Sequence, residues 1–338
     1  MSLRTRWPLL VWLLWIAGLL LIVWTLRSIP LSSIWLTLSQ LSLGQIGLLA
    51  AVNAAVLLIF GARWWLLIRA LGARTRFLTI LAYRLAAFGV NYFTPGPQFG
   101  AEPLQVAVLH TRQKISGPEA VTSVALDKLL ELAVNLGFLV WGLVMVISLG
   151  LFNHLAPANL LVVALILLAL PLLYLAGLWR GSQPLTRLLA LSPNRLRWQP
   201  TYLRLVQFVT AAETRAGSFC RDKPLVFIAA VLLSFGGWLL MILELWLTLL
   251  FLGLPASLVQ AFIILTAARM AFLAPTPGGL GALEAALVLG TTALGFGPAA
   301  GISLALLIRA RDFLLGAAGL ALAGRLLPRS RPVEDLVV

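Results

Sequence analysis

Two short strings of the 338-residue chain combine turn residues with a hydroxyl and an acid. One runs from Thr94 to Glu102 and the other from Thr276 to Glu284. Both begin Thr-Pro-Gly and place a glutamate eight residues after the threonine. Pro and Gly at this density end helices, and a Gly-rich turn lets backbone approach a ligand closely. A helix that starts after such a turn presents unpaired N–H groups and the positive end of its dipole, so the strings predict two sites for phosphate or carboxylate.

An arginine precedes each string, Arg84 in the first and Arg269 in the second. These cations could pair with a bound anion. The two glutamates would then hold the arginines in place or titrate during a transport cycle. For Glu102, which precedes Pro103, the alternative is that it caps the returning helix. The predicted anion-binding residues are Thr94, Gly96, Gly100, Glu102, Thr276, Gly278, Gly279, Gly281, Glu284, Arg84 and Arg269.

A second group of polar residues lies in an otherwise apolar stretch. Ser123, Asp127, Glu131 and Asn135 recur every four residues, so they share one face of a helix, and Lys128 is adjacent. A charge at the centre of a membrane span costs at least about 2.5–3.5 kcal/mol, so this face must point at protein or water. It predicts either a proton- or ion-coupled path or a structural acid–base pair. Candidate partners for these charges are Glu244, Arg309, Arg311 and Asp312.

The composition explains why polar residues are so informative here. Hydrophobic residues make up 61% of the chain and charged residues 11%, against about 45–50% and 25% in ordinary soluble domains. This excludes a cytosolic enzyme and a secreted disulfide scaffold. The single cysteine and two histidines are too few for a usual zinc site, and no Walker-type ATP motif is visible. We therefore predict no catalytic residue, no metal and no cofactor.

Apolar runs of about 20 residues predict membrane-spanning helices. Two other apolar stretches, 78–111 and 257–296, are interrupted by Pro and Gly and predict re-entrant helical hairpins with the Thr-Pro-Gly turns at their tips. Two full spans in each stretch would give the same sidedness, and that alternative stays open. The predicted fold is an all-α polytopic membrane protein in one domain, 1–338, with two hairpins and about six spans, at 8–26, 44–68, 119–149, 158–179, 224–252 and 299–323.

The net charge of +14 lies mainly on one side of these spans. Arg27 is the only cation outside the apolar segments on the other side, so the positive-inside rule predicts that both termini are cytoplasmic. The hairpins then enter from opposite faces, which is the inverted-repeat pattern of transporters. The long segment 181–223 predicts one or two amphipathic helices on the inner leaflet, with a plain basic loop as the alternative. Anionic lipid accounts for the basic charge, so no nucleic-acid partner is predicted.

Small residues in the last predicted span indicate a close helix contact. Gly316 and Gly319 flank two alanines, and a patch of this kind lets two backbones approach each other.

The string from Pro277 to Ala285 resembles the signature of the lysylphosphatidylglycerol synthase transmembrane-region family of flippase-like membrane proteins. The earlier string at 95–103 resembles the first hairpin motif of that family, and Asp127 with Glu131 falls where the family often has acids. Leu283 departs from the pattern, because many members carry a basic residue there. Residues 97–99 also depart from the common form of the first motif.

This resemblance covers roughly residues 8–325 and implies a domain that moves aminoacylated phospholipids or other lipid-linked groups between leaflets. The full synthases add a cytosolic domain that uses aminoacyl-tRNA. The chain ends soon after its last predicted span, so we expect that catalytic domain to be absent.

The sequence therefore predicts an integral lipid transporter or flippase-like protein of a prokaryotic plasma membrane. Its expected partners are membrane lipids, anionic phospholipid above all. One alternative is an integral transferase or hydrolase acting on lipid phosphate, with Glu102, Asp127 or Glu131 as the base. The other is a non-catalytic membrane partner of a separate lipid-modifying synthase.

Overall fold

The computed structural model describes residues 39–94, 100–151, 157–192, 200–271, 279 and 281–326. Every regular element within these residues is a helix, which confirms the predicted all-α class. The eleven helices of these ranges are α1 (Leu43–Ala70), α2 (Phe77–Phe93), α3 (Glu102–Gln113), α4 (Gly117–Ser148), α5 (Pro157–Trp179), α6 (Pro184–Ala190), α7 (Pro200–Asp222), α8 (Pro224–Phe251), α9 (Leu258–Ala271), α10 (Ala282–Ala293) and α11 (Pro298–Leu326).

Four of these helices, α1, α4, α5 and α8, are long and apolar enough to cross a membrane. The 28 residues of α1 extend about 42 Å, more than the roughly 30 Å hydrocarbon core. The four helices α1, α4, α5 and α8 match the predicted spans at 44–68, 119–149, 158–179 and 224–252. The 29-residue helix α11 covers the predicted span at 299–323 and carries several charges in its middle. The predicted span at 8–26 lies outside the described residues. The four membrane-length helices of the described part make the chain a multi-pass membrane protein.

Each of the two Pro/Gly-interrupted stretches forms a pair of short helices. Stretch 78–111 contains α2 and α3, with 17 and 12 residues, and stretch 257–296 contains α9 and α10, with 14 and 12 residues. At about 1.5 Å per residue these helices are about 18–26 Å long, shorter than the hydrocarbon core. Their lengths suit half-helices, and α9 packs on α10. The turns at 95–99 and 272–278 lie outside the described residues, so re-entrance and the inverted repeat stay predictions.

The chain divides into two compact units. The first comprises the described residues within 1–49, 85–101 and 245–323, and the second comprises those within 50–84, 102–244 and 324–338. In the first unit α2 and α11 meet at glycines. A Cβ atom added at Gly319 would collide with the carbonyl oxygen of Leu85, and one at Gly89 would collide with the backbone of Leu320. The predicted small-residue contact of α11 is thereby confirmed.

In the second unit, local sequence signals fix the start of the long helix α4. The side chain of Ser116 accepts a hydrogen bond from the backbone N–H of Glu119 at 3.4 Å, and proline occupies the first turn. This is a standard N-terminal cap. The cap fixes where the helix begins, and so fixes the turns on which Asp127 and Glu131 lie.

The described part of the segment 181–223 contains the helices α6 and α7, and α7 packs on α4 and α5. Glu213 of α7 is buried and joins these elements. Its carboxylate accepts hydrogen bonds from the hydroxyl of Tyr174, from the backbone N–H groups of Leu185 and Thr186, and from the Thr186 hydroxyl, at 2.7–2.9 Å. The carboxylate thus supplies a cap to the short helix α6 from a neighbouring helix.

Candidate functional site

Three helical elements bring charges to the face of α4 in the second unit. Asp127 and Glu131 lie one turn apart on α4, and Lys128 lies next to Asp127. Three further charged residues join them: Arg63 of α1, Arg84 of α2 and Glu102, the first residue of α3. We refer to these six residues as the α4 charge cluster. It contains three cations and three carboxylates, so its formal charge is balanced.

The inner part of the α4 charge cluster is a pair of guanidinium groups that share two carboxylates. Arg63 donates from Nε to Oδ1 of Asp127 at 2.7 Å and from Nη2 to Oε2 of Glu131 at 3.3 Å. Arg84 donates from Nη1 to Oδ2 of Asp127 at 2.5 Å and from Nη2 to Oε2 of Glu131 at 3.0 Å. Each arginine therefore bridges both acids, which holds α1, α2 and α4 together.

Two further groups complete the environment of these arginines. Arg63 donates from Nη1 to the hydroxyl of Ser234 on α8 at 3.0 Å. The ring of Phe60 lies 5.2 Å from the Arg63 guanidinium carbon and 5.5 Å from that of Arg84, within cation–π range. Arg63 is fully buried, so these contacts replace the hydration that its charge has lost.

The outer part of the α4 charge cluster is more accessible. Nζ of Lys128 lies 3.5 Å from carboxylate oxygens of both Glu102 and Glu131. The side chains of these three residues are 21–26% exposed, against 0% for Arg63 and 6% for Asp127. The cluster therefore has a closed end and an open end, and polar groups at the open end can be reached from outside the protein.

A second charge pair lies in the first unit. Arg309 of α11 donates from Nε and Nη2 to the two carboxylate oxygens of Glu284, at 2.8 and 3.1 Å. Nη2 also donates to the carbonyl oxygen of Gly279 at 3.1 Å. Glu284 lies in the first turn of α10, which begins after Gly281 in a left-handed conformation with φ 77°. A residue with a Cβ is strained at that angle, so glycine is required at this turn.

The ends of the first Thr-Pro-Gly string are held close together. Thr94 donates its hydroxyl hydrogen to the carbonyl oxygen of Val90 at 2.7 Å. The side chain of Asn91 accepts a hydrogen bond from the backbone N–H of Ala101 at 2.8 Å. Gly100, with φ 141°, lies beside Thr94, and a Cβ atom there would come within 3.1 Å of the threonine methyl. Gly96 of this string, and Thr276 and Gly278 of the other, lie outside the described residues.

The remaining polar residues singled out in the sequence lie in other contacts. Ser123 donates to the carbonyl oxygen of Ala120 in its own helix, and Asn135 accepts a hydrogen bond from the indole N–H of Trp238 at 2.7 Å. The four-residue stripe of α4 thus divides: its two acids bind arginines, and its two neutral members do not. The residues outside this stripe are placed as follows: Asp312 pairs with the adjacent Arg311 at 2.8 Å, Arg269 lies in the last turn of α9, and Glu244 lies in α8.

Three residues of these sites, Arg63, Ser234 and Tyr92, were not predicted from the sequence to take part. The signal for Arg63 was available, because an arginine within a membrane-length apolar helix requires a polar partner or access to water. Tyr92 is buried in α2, and its hydroxyl lies near the guanidinium of Arg309. Nothing in the sequence distinguishes Tyr92 from a core aromatic residue. No group of three or more His, Cys, Asp or Glu within the described ranges is placed to hold a metal ion.

Comparison with known proteins places the chain in a family. A family model described as lysylphosphatidylglycerol synthase TM region matches residues 9–319. The chain is also similar to a UPF0104 membrane protein of Methanocaldococcus jannaschii. The two are 23% identical over 262 residues, which cover 77% of this chain and 78% of that protein. No solved structure matches the chain at a significant level.

Proposed function

The chain belongs to the lysylphosphatidylglycerol synthase TM region family, and from this premise we propose that it moves lipids between the two leaflets of a prokaryotic plasma membrane. The substrate is a phospholipid or a lipid-linked group with an anionic phosphate. Its headgroup passes along the buried charges while its acyl chains stay in the bilayer. Both termini are cytoplasmic in this proposal, and the basic helices α6 and α7 lie on the anionic inner leaflet.

The α4 charge cluster is the observation that carries this proposal. An isolated charge at the centre of a span costs about 2.5–3.5 kcal/mol, and ion pairs reduce that cost without removing it. Two oppositely charged residues are enough to fasten helices together, whereas this cluster contains six charged residues from four helices. The cluster therefore contains more charged residues than helix packing requires, and one end of it is accessible. Both features fit a path for a polar group through an apolar protein.

Two partly exposed cations of the α4 charge cluster, Lys128 at its open end and Arg84 in its inner part, are suited to phosphate. The side chains of Arg84 and Lys128 are 15% and 21% exposed, so both are open to a headgroup. A guanidinium fork binds two phosphate oxygens, and an ammonium acts as a point charge. The carboxylate of Glu102 lies near Lys128 and becomes its alternative partner when no headgroup is bound. Binding then exchanges the Glu102–Lys128 pair for a phosphate–Lys128 pair, and the displaced Glu102 carboxylate, whose side chain is 26% exposed, points to the accessible end of the cluster until the headgroup is released.

Lipid translocation in vesicles tests the proposal. Purified protein is reconstituted into vesicles that contain a fluorescent phosphatidylglycerol, and a membrane-impermeant quencher reports the lipid exposed outside. We expect the Arg84→Gln and Lys128→Gln variants to lower the rate about 10- to 100-fold, since a hydrogen bond to a charged group contributes about 1.5–3 kcal/mol. Thr94→Ala and Arg269→Ala lower it as well if the Thr-Pro-Gly turns take part.

A matched control comes from α7. Arg215 pairs with Glu119 at 3.9 Å, and their side chains are 42% and 34% exposed. Arg215→Gln removes one positive charge outside the α4 charge cluster and should leave the rate unchanged. Equal rates for all variants and the control would contradict the proposal. A new lipid species detected by mass spectrometry would instead support a transferase or hydrolase.

A further inference from the structure

The pair between Arg309 and Glu284 has the geometry of an anion-binding site. Two N–H groups of the guanidinium donate to the two carboxylate oxygens at 2.8 and 3.1 Å. The same planar fork binds phosphate in the same bidentate manner. Arg309 is also fixed by its bond to the carbonyl oxygen of Gly279, so the direction of the fork is set by the backbone.

The start of α10 supplies the second half of this site. The N-cap residue is Gly281, which has no side chain to cap the first turn. The carboxylate of Glu284 takes that place, because backbone groups of Gly281 and Glu284 lie within hydrogen-bonding range of it. A helix N-terminus with an arginine opposite is a site for an anion. Its present occupant is a carboxylate of the protein itself.

The hydroxyl of Tyr92 is a further polar group beside this site. The side chain is 93% buried, since only 7% of its surface is exposed. Its hydroxyl lies near the Arg309 guanidinium and makes no hydrogen bond of normal geometry. Both oxygens of the Glu284 carboxylate are already engaged by Arg309. A phosphate group has additional oxygens, and one of them could accept the hydrogen of Tyr92.

The exposed fractions of the two side chains show which of Arg309 and Glu284 can move out of the ion pair. The side chain of Glu284 is 40% exposed, whereas that of Arg309 is 3% exposed. The carboxylate can therefore swing into an accessible space while the guanidinium stays in place. The pair of Arg63 and Asp127 lacks this asymmetry, because its side chains are 0% and 6% exposed.

We propose that Glu284 is an exchangeable internal counter-ion, and that the phosphate of the substrate headgroup replaces its carboxylate on Arg309 with Tyr92 as an added donor. The inference rests on the proposed function for the identity of the substrate. Its physical content is a competition: the tethered carboxylate keeps Arg309 paired in the empty protein and later displaces the phosphate, so that the headgroup is released.

Binding to the purified full-length chain in detergent micelles tests this competition. Calorimetry with two probes, dihexanoyl phosphatidylglycerol and inorganic phosphate, measures their affinity for each variant. We expect Glu284→Gln to bind about 10-fold more tightly than the unaltered protein, because a neutral amide competes less well for the guanidinium. Arg309→Lys should bind about 10-fold more weakly, since an ammonium lacks the fork. Tyr92→Phe should lose several-fold, about the effect of one neutral hydrogen bond.

The control is Glu119→Gln, which removes the same charge from a partly exposed residue outside the site and should leave both affinities unchanged. Binding of both probes identifies the phosphate group as the recognised chemistry, and binding of the lipid alone identifies the whole headgroup. Either result supports the exchange if Glu284→Gln binds the probe more tightly than the unaltered protein does. Equal or weaker binding by Glu284→Gln overturns the exchange, as does unchanged binding by Arg309→Lys.

The two proposals fail in different experiments. Tighter binding by Glu284→Gln in micelles, without any translocation by the unaltered protein in vesicles, would retain the anion site and refute the flippase function. Translocation that depends on the α4 charge cluster, with no change in affinity on Glu284→Gln, would retain the function and refute the exchange.

Discussion

Replacing Arg63 by methionine removes the most buried cation of the α4 charge cluster while keeping an unbranched apolar chain. Arg63 bonds Asp127, Glu131 and Ser234 at 2.7, 3.3 and 3.0 Å and has no exposed surface. After the substitution, two cations face three carboxylates in an apolar surrounding. Asp127 keeps its bond to Arg84 at 2.5 Å and loses its bond to the fully buried guanidinium at 2.7 Å.

The expected loss of stability follows from this burial. Removing one partner of a buried ion pair costs about 3–5 kcal/mol, because the other charge is left uncompensated. Arg63→Met combined with Asp127→Leu restores the balance, with two cations and two carboxylates, and should cost less than the single change. The partly exposed pair of Arg215 and Glu119 gives the reference: Arg215→Gln should cost less than about 1 kcal/mol.

The assay is reversible unfolding of the purified protein in mixed micelles, followed by helical circular dichroism and extrapolated linearly to zero denaturant. Our expectation is a large loss of stability for Arg63→Met, a smaller loss for the double variant and almost none for Arg215→Gln. A loss below about 1 kcal/mol for Arg63→Met would refute it. A double variant that is less stable than Arg63→Met would refute the assignment of the cost to charge imbalance.

Three further predictions concern other parts of the fold. Gly319→Leu should destabilise the protein by at least about 1–3 kcal/mol in the same unfolding assay, because the new side chain would meet the carbonyl oxygen of Leu85; unchanged stability would contradict the close contact of α2 and α11. Burial raises the pKa of the Cys220 thiol to about 11 from its usual value near 9, so the folded protein at neutral pH has about 100-fold less thiolate there than a free cysteine; maleimide should label it only after unfolding or as the pH approaches 11, and rapid labelling of the native protein at pH 7 would contradict this. Glu213→Gln should cost about 1–3 kcal/mol and expose the segment around Thr186 to limited proteolysis, whereas an unchanged cleavage pattern would show that α6 does not depend on this carboxylate.

Much of the helical framework could be predicted from the sequence. The membrane-length helices follow from runs of apolar residues, whose backbone polar groups can be satisfied only within a helix. The interruptions at the two Thr-Pro-Gly strings follow from the chemistry of proline and glycine. The close contact at Gly319 follows because only residues without bulky side chains allow two backbones to approach.

The pairing of the charges could not be predicted in the same way. A four-residue spacing places Asp127 and Glu131 on one face, but it carries no information about which distant arginine will meet them. Arg63 and Arg84 are 64 and 43 residues away from Asp127 along the chain, and tertiary packing alone brings them to it. Asn135 shares the face of the acids and binds Trp238 instead, because a neutral amide does not require a cation.

We propose above all that this membrane protein carries lipid headgroups across the bilayer through its buried charges. The most direct test is the initial rate at which fluorescent phosphatidylglycerol crosses vesicles that contain the purified protein, compared with protein-free vesicles of the same lipids. Our expectation is a faster rate with the protein, and a return toward the protein-free rate when Arg84 and Lys128 are both replaced by glutamine. Equal rates in the presence and absence of the protein would contradict it.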